Sequence, residues 1–438
     1  MRNIKRIPAI DGQLGWYETV PFQRPMPVQN AEKDEHFDVI VAGSGFSGLA
    51  TAGRLAELQP DAKIALVDAL EIGQGTAGRN AGFIIDLPHN LDADEPNPEH
   101  DAKIRDLNCF AIERLKRIQE QQGMNVRWHA AGKYLAAHEE KHFSNLTAFT
   151  TTLDAMGEKY AVLEGSDLAK KLGTPYYKRA VYTPGNILMN PAALAITVAS
   201  ALPKNVTLLE NTPIRSVDLE SKTLQTDKAK LTADTLVLAT NAFTEEFGGC
   251  RNKLAPVFTY ASMTRPLTSS EMAQFDGVEP WGLTSAHPAG TTVRLTSDNR
   301  LFIRNTLDFL PELSSTEALI GKAREKHRRS YLARFPQLKD VPFEFSWGGM
   351  LCMTMNHESV FKQHAPGVYV VAAMNGVGVA KGTYLGNYMA EYISGVKSAE
   401  LEFILSNSNP SWVPPDPLRS VGARIRLSFE ERLAKGEV

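Results

Sequence analysis

Phe37-Asp38-Val39-Ile40-Val41-Ala42-Gly43-Ser44-Gly45-Phe46-Ser47-Gly48 is the stretch that decides the fold. Its first six residues are apolar almost without interruption, the pattern of a strand buried on both faces of a parallel sheet. Gly43 to Gly48 then match G-x-G-x-x-G, in which the first glycine permits a tight turn, the second lets a pyrophosphate approach the backbone, and the third allows close packing of helix on strand. Ser47 to Leu58, with Leu49, Ala50, Ala52, Gly53, Leu55 and Ala56, reads as the following helix, and its free N–H groups and positive dipole end face the phosphates. Lys63 to Val67 reads as a second strand. The hexapeptide alone is weak evidence; strand, turn, helix and strand together make a dinucleotide-binding βαβ unit.

Working outward, Asp68 lies 20 residues beyond Gly48, where an acid accepts a ribose 2′-OH and repels a 2′-phosphate, which disfavours NADP. The plainer reading is that it caps the next turn. A second glycine-rich segment, Gly73-Gln74-Gly75-Thr76-Ala77-Gly78-Arg79-Asn80-Ala81-Gly82, is either the extra cradle of a larger dinucleotide or a surface loop. Val206 to Leu209, Ile214 to Leu219 and Leu236 to Ala239 read as strands returning to the nucleotide domain. Val368 to Ala373 is another buried strand, followed by Asn375-Gly376-Val377-Gly378 and a helix towards Ile393, an echo of the opening unit. Helices are also expected over 101–122, from Pro191 to Leu202, and between Ser315 and Arg334.

A chain of 438 residues exceeds what one core organises. The expected division is an extended arm over 1–36, a discontinuous nucleotide domain over 37–100, 180–252 and 346–396, a substrate lobe over 101–179 and 253–345, and a charged tail over 397–438. The net charge of -3 gives no reason to invoke nucleic acid or an anionic membrane. Cys109, Cys250 and Cys352 are widely spaced and build no disulfide framework, no metal site is assigned, and no apolar run reaches the roughly 20 residues of a membrane span. Those features point to a reducing, cytoplasmic setting.

Trp16-Tyr17, the turn at Gly43, Ala77-Gly78-Arg79-Asn80-Ala81-Gly82, Ala239-Thr240-Asn241-Ala242, Trp347-Gly348-Gly349 and Asn375-Gly376-Val377-Gly378 together resemble the D-amino-acid oxidase and glycine oxidase superfamily of FAD-dependent oxidoreductases, and within it the γ-glutamylputrescine oxidase-like branch. The matches span most of the chain. The branch usually carries Glu at the position of Asp68 and often Ser at that of Ala77, departures that are mild for flavin binding. The resemblance implies an α/β fold, α+β overall: a discontinuous Rossmann-like FAD domain of the glutathione-reductase type beside a substrate domain of mixed sheet and helices. It implies cofactor contacts at Gly43, Gly45, Phe46, Ser47, Gly48, Asp68 and Ala69, then at Thr76, Gly78, Arg79, Asn80, Ala81 and Gly82 along the flavin. Ile214, Ala239, Thr240, Asn241 and Gly349 would pass near the cofactor. Asn375, Gly376, Val377, Gly378, Val379, Lys381 and Gly382 would approach the isoalloxazine, where a helix N-terminus favours negative charge on the reduced ring. Lys381 is otherwise a solvated helix residue.

The implied reaction takes a hydride equivalent from the carbon beside an amine nitrogen to flavin N5, leaves an imine that water hydrolyses, and returns the electrons to O2. The protein's task is to place that carbon and exclude water. Candidate pocket residues are Tyr260, Arg265, Arg304, Trp347, Met350 and His357. Arg304, on a strand, is either a bidentate clamp for a substrate carboxylate or a surface ion-pair partner. Trp347 either walls the pocket or packs in the core, and His357 is either an acid or base or a structural histidine. Non-covalent FAD is the expectation; Cys352 is the alternative, as a covalent attachment point, against its reading as a small buried hydrophobe. A small amine or amino acid is the expected substrate, with γ-glutamylated polyamines favoured by the branch. The alternatives are a dehydrogenase subunit that passes electrons to a partner, and a non-catalytic FAD-binding accessory or RNA-modifying protein, which the acidic charge disfavours.

Overall fold

The computed structural model describes residues 1–88 and 97–438. Five parallel strands form the spine of the first sheet, in the order Val206–Leu209, Ile64–Val67, Glu35–Ala42, Lys230–Leu238 and Val368–Ala372. In the central strand, Val39 and Val41 point into one core with the helices Phe46–Leu58, Pro191–Ser200 and Gly378–Ile393, while Phe37, Ile40 and Ala42 point into a second core on the other face. That explains the unbroken apolar run: both faces are covered, and each fully buried Val, Ile or Phe contributes about 1.5–3 kcal/mol. Antiparallel strands Thr223–Gln225, Ser216–Asp218 and Arg2–Asn3 extend one edge, and Val360–Ala365 pairs with Val368–Ala372.

Helices Phe46–Leu58 and Gly378–Ile393 cross at backbone distance. A Cβ on Gly386 would stand 2.2 Å from the Ser47 carbonyl oxygen, and the Thr51 hydroxyl donates to the Gly386 carbonyl at 3.1 Å. The small residues of the opening helix therefore serve two contacts, the turn beneath it and helix Gly378–Ile393 beside it.

The second sheet has eight strands, in the order Phe343–Met353, Ala255–Thr264, Leu301–Phe309, Thr292–Leu295, Trp281–Ser285, Lys133–Ala137, Arg179–Thr183 and Ala161–Glu164. Only the pairing of Trp281–Ser285 with Lys133–Ala137 is parallel. Helix Glu317–Arg334, capped by the Thr316 hydroxyl on the Leu319 N–H, packs on this sheet.

Several boundaries drawn from the sequence shift. Phe343–Met353 is one continuous strand of the second sheet, so the division at 346 falls inside it, and the one at 180 falls inside Arg179–Thr183. Helix Pro98–Gln122, placed with the substrate lobe, sends Leu107, Ala111, Ile112 and Leu115 into the nucleotide-side core. Its solvated residues carried no signal of which sheet it covers. Residues 89–96 of the first nucleotide segment lie outside the described residues. The arm is more than extended: Arg2–Asn3 is a strand, Gly15–Glu18 a helical turn, and buried Trp16 donates to the Asn80 carbonyl at 2.9 Å. No helix among the described residues is long and apolar enough to cross a membrane.

Candidate active site

A cleft opens where Glu35–Ala42, Ile64–Val67 and Lys230–Leu238 end, the position at which open parallel sheets bind ligands. Gly43 has φ of +99°, and a Cβ on Gly48 would lie 1.8 Å from the Gly43 carbonyl oxygen, so turn and helix close only with glycine at both. Gly45 differs: the nearest atom to an added Cβ is that of Ala77, at 4.0 Å, and the added group would project into open space along the cleft. The Asp68 carboxylate accepts from the Ser44 N–H and hydroxyl, both at 2.7 Å, and from the Leu70 N–H at 2.9 Å. It thus braces the turn and lines the cleft together.

Gly73, Gly75 and Gly78 repeat this geometry. Gly73 has φ of +86°, a Cβ on Gly78 would stand 1.8 Å from the Gly73 carbonyl oxygen, Gly75 has nothing within 4 Å, and the short helix Thr76–Arg79 begins directly after it. The G-x-G-x-x-G spacing thus occurs twice, 30 residues apart. The repeat was legible and was missed because no long helix follows it. Two buried arginines hold this second cradle instead. Arg79 donates to the carbonyls of Gln74 at 2.7 Å, Asp11 at 2.8 Å and Gly348 at 3.0 Å; Arg294 donates to those of Ala81, Gly82 and Met189 at 2.7 to 3.0 Å. Arg294 also lies against the Trp16 and Phe83 rings, and burial pulls its guanidinium down to about 9.

Next to the cleft is a cavity of about 920 Å³, and Leu351 and Gly376 line both. Arg304 reaches it from the middle of Leu301–Phe309, registered between Ala261 and Thr292. Burial lowers its guanidinium to about 10, and among the described residues no carboxylate pairs with it. On the opposite side, Asn375 (φ +52°) and Gly376 (φ +84°) turn the chain into helix Gly378–Ile393. The Asn375 amide donates to the His357 carbonyl at 2.8 Å and its oxygen accepts from the Thr354 N–H at 2.8 Å, fixing the loop. Lys381 donates to the same His357 carbonyl at 3.4 Å; burial, opposed by Glu358, lowers its ammonium to about 8. His357 lines this cavity with φ of +57°.

The family model for FAD dependent oxidoreductases matches residues 38–392. The chain belongs to this family. It is similar to a probable oxidoreductase, OrdL, of Haemophilus influenzae, 25% identical over 377 residues, 82% of this chain and 84% of that protein. The γ-glutamylputrescine oxidoreductase of Escherichia coli is 24% identical over 384 residues, again 82% and 84%. Among solved structures, glycine oxidase from Bacillus cereus superposes with a TM-score of 0.69 at 18% identity, over 86% of this chain and all of that one. An L-amino acid deaminase of Proteus myxofaciens superposes with a TM-score of 0.67 at 14% identity, over 89% and 96%.

The cleft of this oxidoreductase fits FAD. Its glycine turns leave backbone N–H groups and open space where phosphates need both, and Arg79, which lines it, has a buried Nη2 with no acceptor among the described residues. Of the residues expected at the cofactor, Phe46, Ser47, Ala69, Thr76, Asn80, Ile214, Ala239, Thr240, Asn241, Gly349 and Gly378 also line the cleft. Asn375, Val377 and Lys381 line the neighbouring cavity. Gly48, Gly78, Ala81, Gly82, Val379 and Gly382 line neither, and they shape the walls by packing: Gly82 leaves room for Arg294, and Gly382 for the Ser47 N–H. The arm was missed as a wall. Ile4, Arg6, Ile7, Pro8, Ala9 and Asp11 all border the cleft, and no periodicity in the sequence announced it.

Four pocket expectations need correction. Tyr260 is 1% exposed in the core, its hydroxyl 3.1 Å from Ser315, because inward-facing positions of its strand face the arm and helix Glu317–Arg334. Trp347 is fully buried against Trp16 and Phe302, and its indole donates to the Arg79 carbonyl at 3.2 Å, so it supports the second cradle from behind. Arg265 is tied to Glu271 by two bonds of 2.7 Å away from both cavities, and Met350 lines the cofactor cleft. Cys352 lines the cleft too, but burial pushes its thiol up, and attachment chemistry needs the thiolate.

Proposed function

We propose that this oxidoreductase oxidises the C–N bond of an amine that also carries a carboxylate, with Arg304 as the carboxylate anchor. The observation that carries this reading is a guanidinium facing a 920 Å³ cavity with no carboxylate among the described residues to neutralise it. A partly desolvated cation without a counter-ion is costly, and a bidentate substrate carboxylate would offset that cost. FAD, when bound, supplies the acceptor for the electrons of the C–H bond beside nitrogen. The chain's part is to hold the substrate. Arg304 fixes one end, while Leu351 and Gly376, common to both cavities, mark where the reacting carbon would meet the cofactor.

The volume lies at the upper end of small-ligand sites and exceeds the needs of glycine, which supports an extended substrate such as a γ-glutamyl amine. The test is an anaerobic absorbance screen of the yellow protein with γ-glutamyl amines, N-methyl amino acids, D- and L-amino acids, and the same amines lacking a carboxylate. Rapid bleaching by carboxylated amines, followed by peroxide release on admitting air, is expected. Equal bleaching rates with and without the carboxylate would sink the Arg304 assignment, and reoxidation by an artificial acceptor but not by air would replace oxidase by dehydrogenase.

A further inference from the structure

The C-terminal helix Leu418–Leu433 buries none of its residues. Leu418, Val421, Ile425, Phe429 and Leu433 are 68%, 53%, 65%, 53% and 43% exposed, and steps of three and four put them on one stripe about 22 Å long. Among the described residues twelve large apolar side chains are exposed, and five belong to this stripe, so it is a patch and not scatter. The helix is not poised to turn its stripe inward. Beyond it Ala434 is fully buried, and Glu437 is locked by the N–H groups of His138 and Glu139 at 2.7 and 2.9 Å and by Arg334 on its carbonyl at 3.0 Å. Leu427 and Glu430, from its other side, line the 920 Å³ cavity.

We propose that this stripe docks on an anionic lipid surface. Arg424 and Arg426 stand about 100° to either side of Ile425, Arg426 in an ion pair with Glu430, and Arg432, seven residues beyond Ile425, falls on the stripe itself, so cations unpaired among the described residues lie beside the stripe and near its C-terminal end. Arg424, Arg432 and Lys435 make no ion pair among the described residues, whereas the acids of the helix are occupied: Glu430 pairs with Arg426 and His287, Glu431 with Lys326. The whole chain has net charge -3, which conceals this local basic rim. An apolar stripe edged by arginines, lying along the surface, has the composition of an interfacial helix. A second copy is the poorer occupant, since a two-fold helix pair centred on Ile425 would set arginines against arginines with no free carboxylate between them. The proposal is independent of which amine is oxidised.

The test is flotation of the FAD-loaded full chain with phosphatidylglycerol vesicles and with phosphatidylcholine vesicles. Binding to the anionic vesicles that falls in high salt, and drops about ten-fold or more in the combined variant Val421→Ser, Ile425→Ser, Phe429→Ser, is expected. These side chains are exposed, so the variant should keep its flavin absorbance and melting temperature, which serve as the folding control. No flotation with either lipid, flotation unchanged by the three substitutions, or a concentration-dependent dimer that they abolish would each overturn the proposal.

Discussion

The cofactor cleft is shaped by two glycine turns of the backbone, while the cavity beside it takes its character from charged side chains. In the cleft, two glycine turns present N–H groups, and the decisive contacts are those a Cβ would destroy, 1.8 Å from a carbonyl at both Gly48 and Gly78. In the cavity, Arg304, His357 and Lys381 come from a mid-sheet strand, a loop and the start of helix Gly378–Ile393, and charge and burial decide how Arg304 and Lys381 behave. Damage to the first region should therefore remove the cofactor. Damage to the second should spare it and alter substrate use.

The sharpest way to break that distinction is at the first turn. Gly45→Val places a side chain in open space, so the fold should hold while flavin is lost almost completely, read as absorbance near 450 nm (roughly the flavin maximum) per protein and by thermal unfolding of the apoprotein. Gly48→Ala drives a methyl group into backbone and should cost several kcal/mol of stability as well. If Gly45→Val keeps its flavin, the phosphates do not lie at this turn. Arg304→Gln is the matching change in the cavity. Flavin content should be unchanged, and kcat/KM for a carboxylated amine should fall about 100-fold, the loss of roughly 3 kcal/mol expected when a charge-assisted bidentate contact is removed. A carboxylate-free amine should lose far less.

The same contrast explains what the sequence disclosed. Gly43, Gly45, Gly48 and Asp68 were readable because backbone geometry tolerates few residues at fixed spacing, and the parallel strands because both of their faces are buried. The second cradle was half readable. Its glycines stand in the sequence at the same spacing, but the residues that hold it, Arg294 and the arm around Asp11, are distant in the chain and follow no period. Arg304 was distinguishable from an ion-paired surface arginine only once the structure brought no carboxylate of the described residues to it, and Tyr260 and Trp347 were misjudged because aromatic residues on a strand look alike whether they face a pocket or a core.

Lys381 sharpens the comparison through pH. Its ammonium is lowered to about 8 in the folded chain from the ordinary 10.5, so the folded protein binds fewer protons than the unfolded one between those values. The half-buried charge opposes folding most below pH 8, and the opposition fades as pH rises towards 10.5. Lys381→Met should therefore raise the melting temperature at pH 7, with a gain that narrows by pH 10. Activity should move the other way: a several-fold loss at pH 7, where the cation is present in the parent, closing above pH 9 as the parent loses it too. A stability gain independent of pH would show that the ammonium is solvated.

The smallest effect is expected at Tyr260. Its hydroxyl bonds Ser315 at 3.1 Å and also meets the Asp308 side chain in the core behind the cleft, with burial holding the phenol well above its usual range, and it borders neither cavity. Tyr260→Phe removes the Ser315 bond and the Asp308 contact while keeping the ring, which should cost about 1 kcal/mol of stability, reported by chemical denaturation. Because the bond braces the start of helix Glu317–Arg334 and not the substrate, kcat, KM and flavin content should all stay within two-fold of the parent, roughly the precision at which a difference below 0.5 kcal/mol is read. A rise in KM of ten-fold or so without loss of stability would put the hydroxyl in the substrate's path. The division between a cleft shaped by glycine turns and a cavity characterised by charged side chains would then have to be redrawn with the middle of strand Ala255–Thr264 on the cavity side.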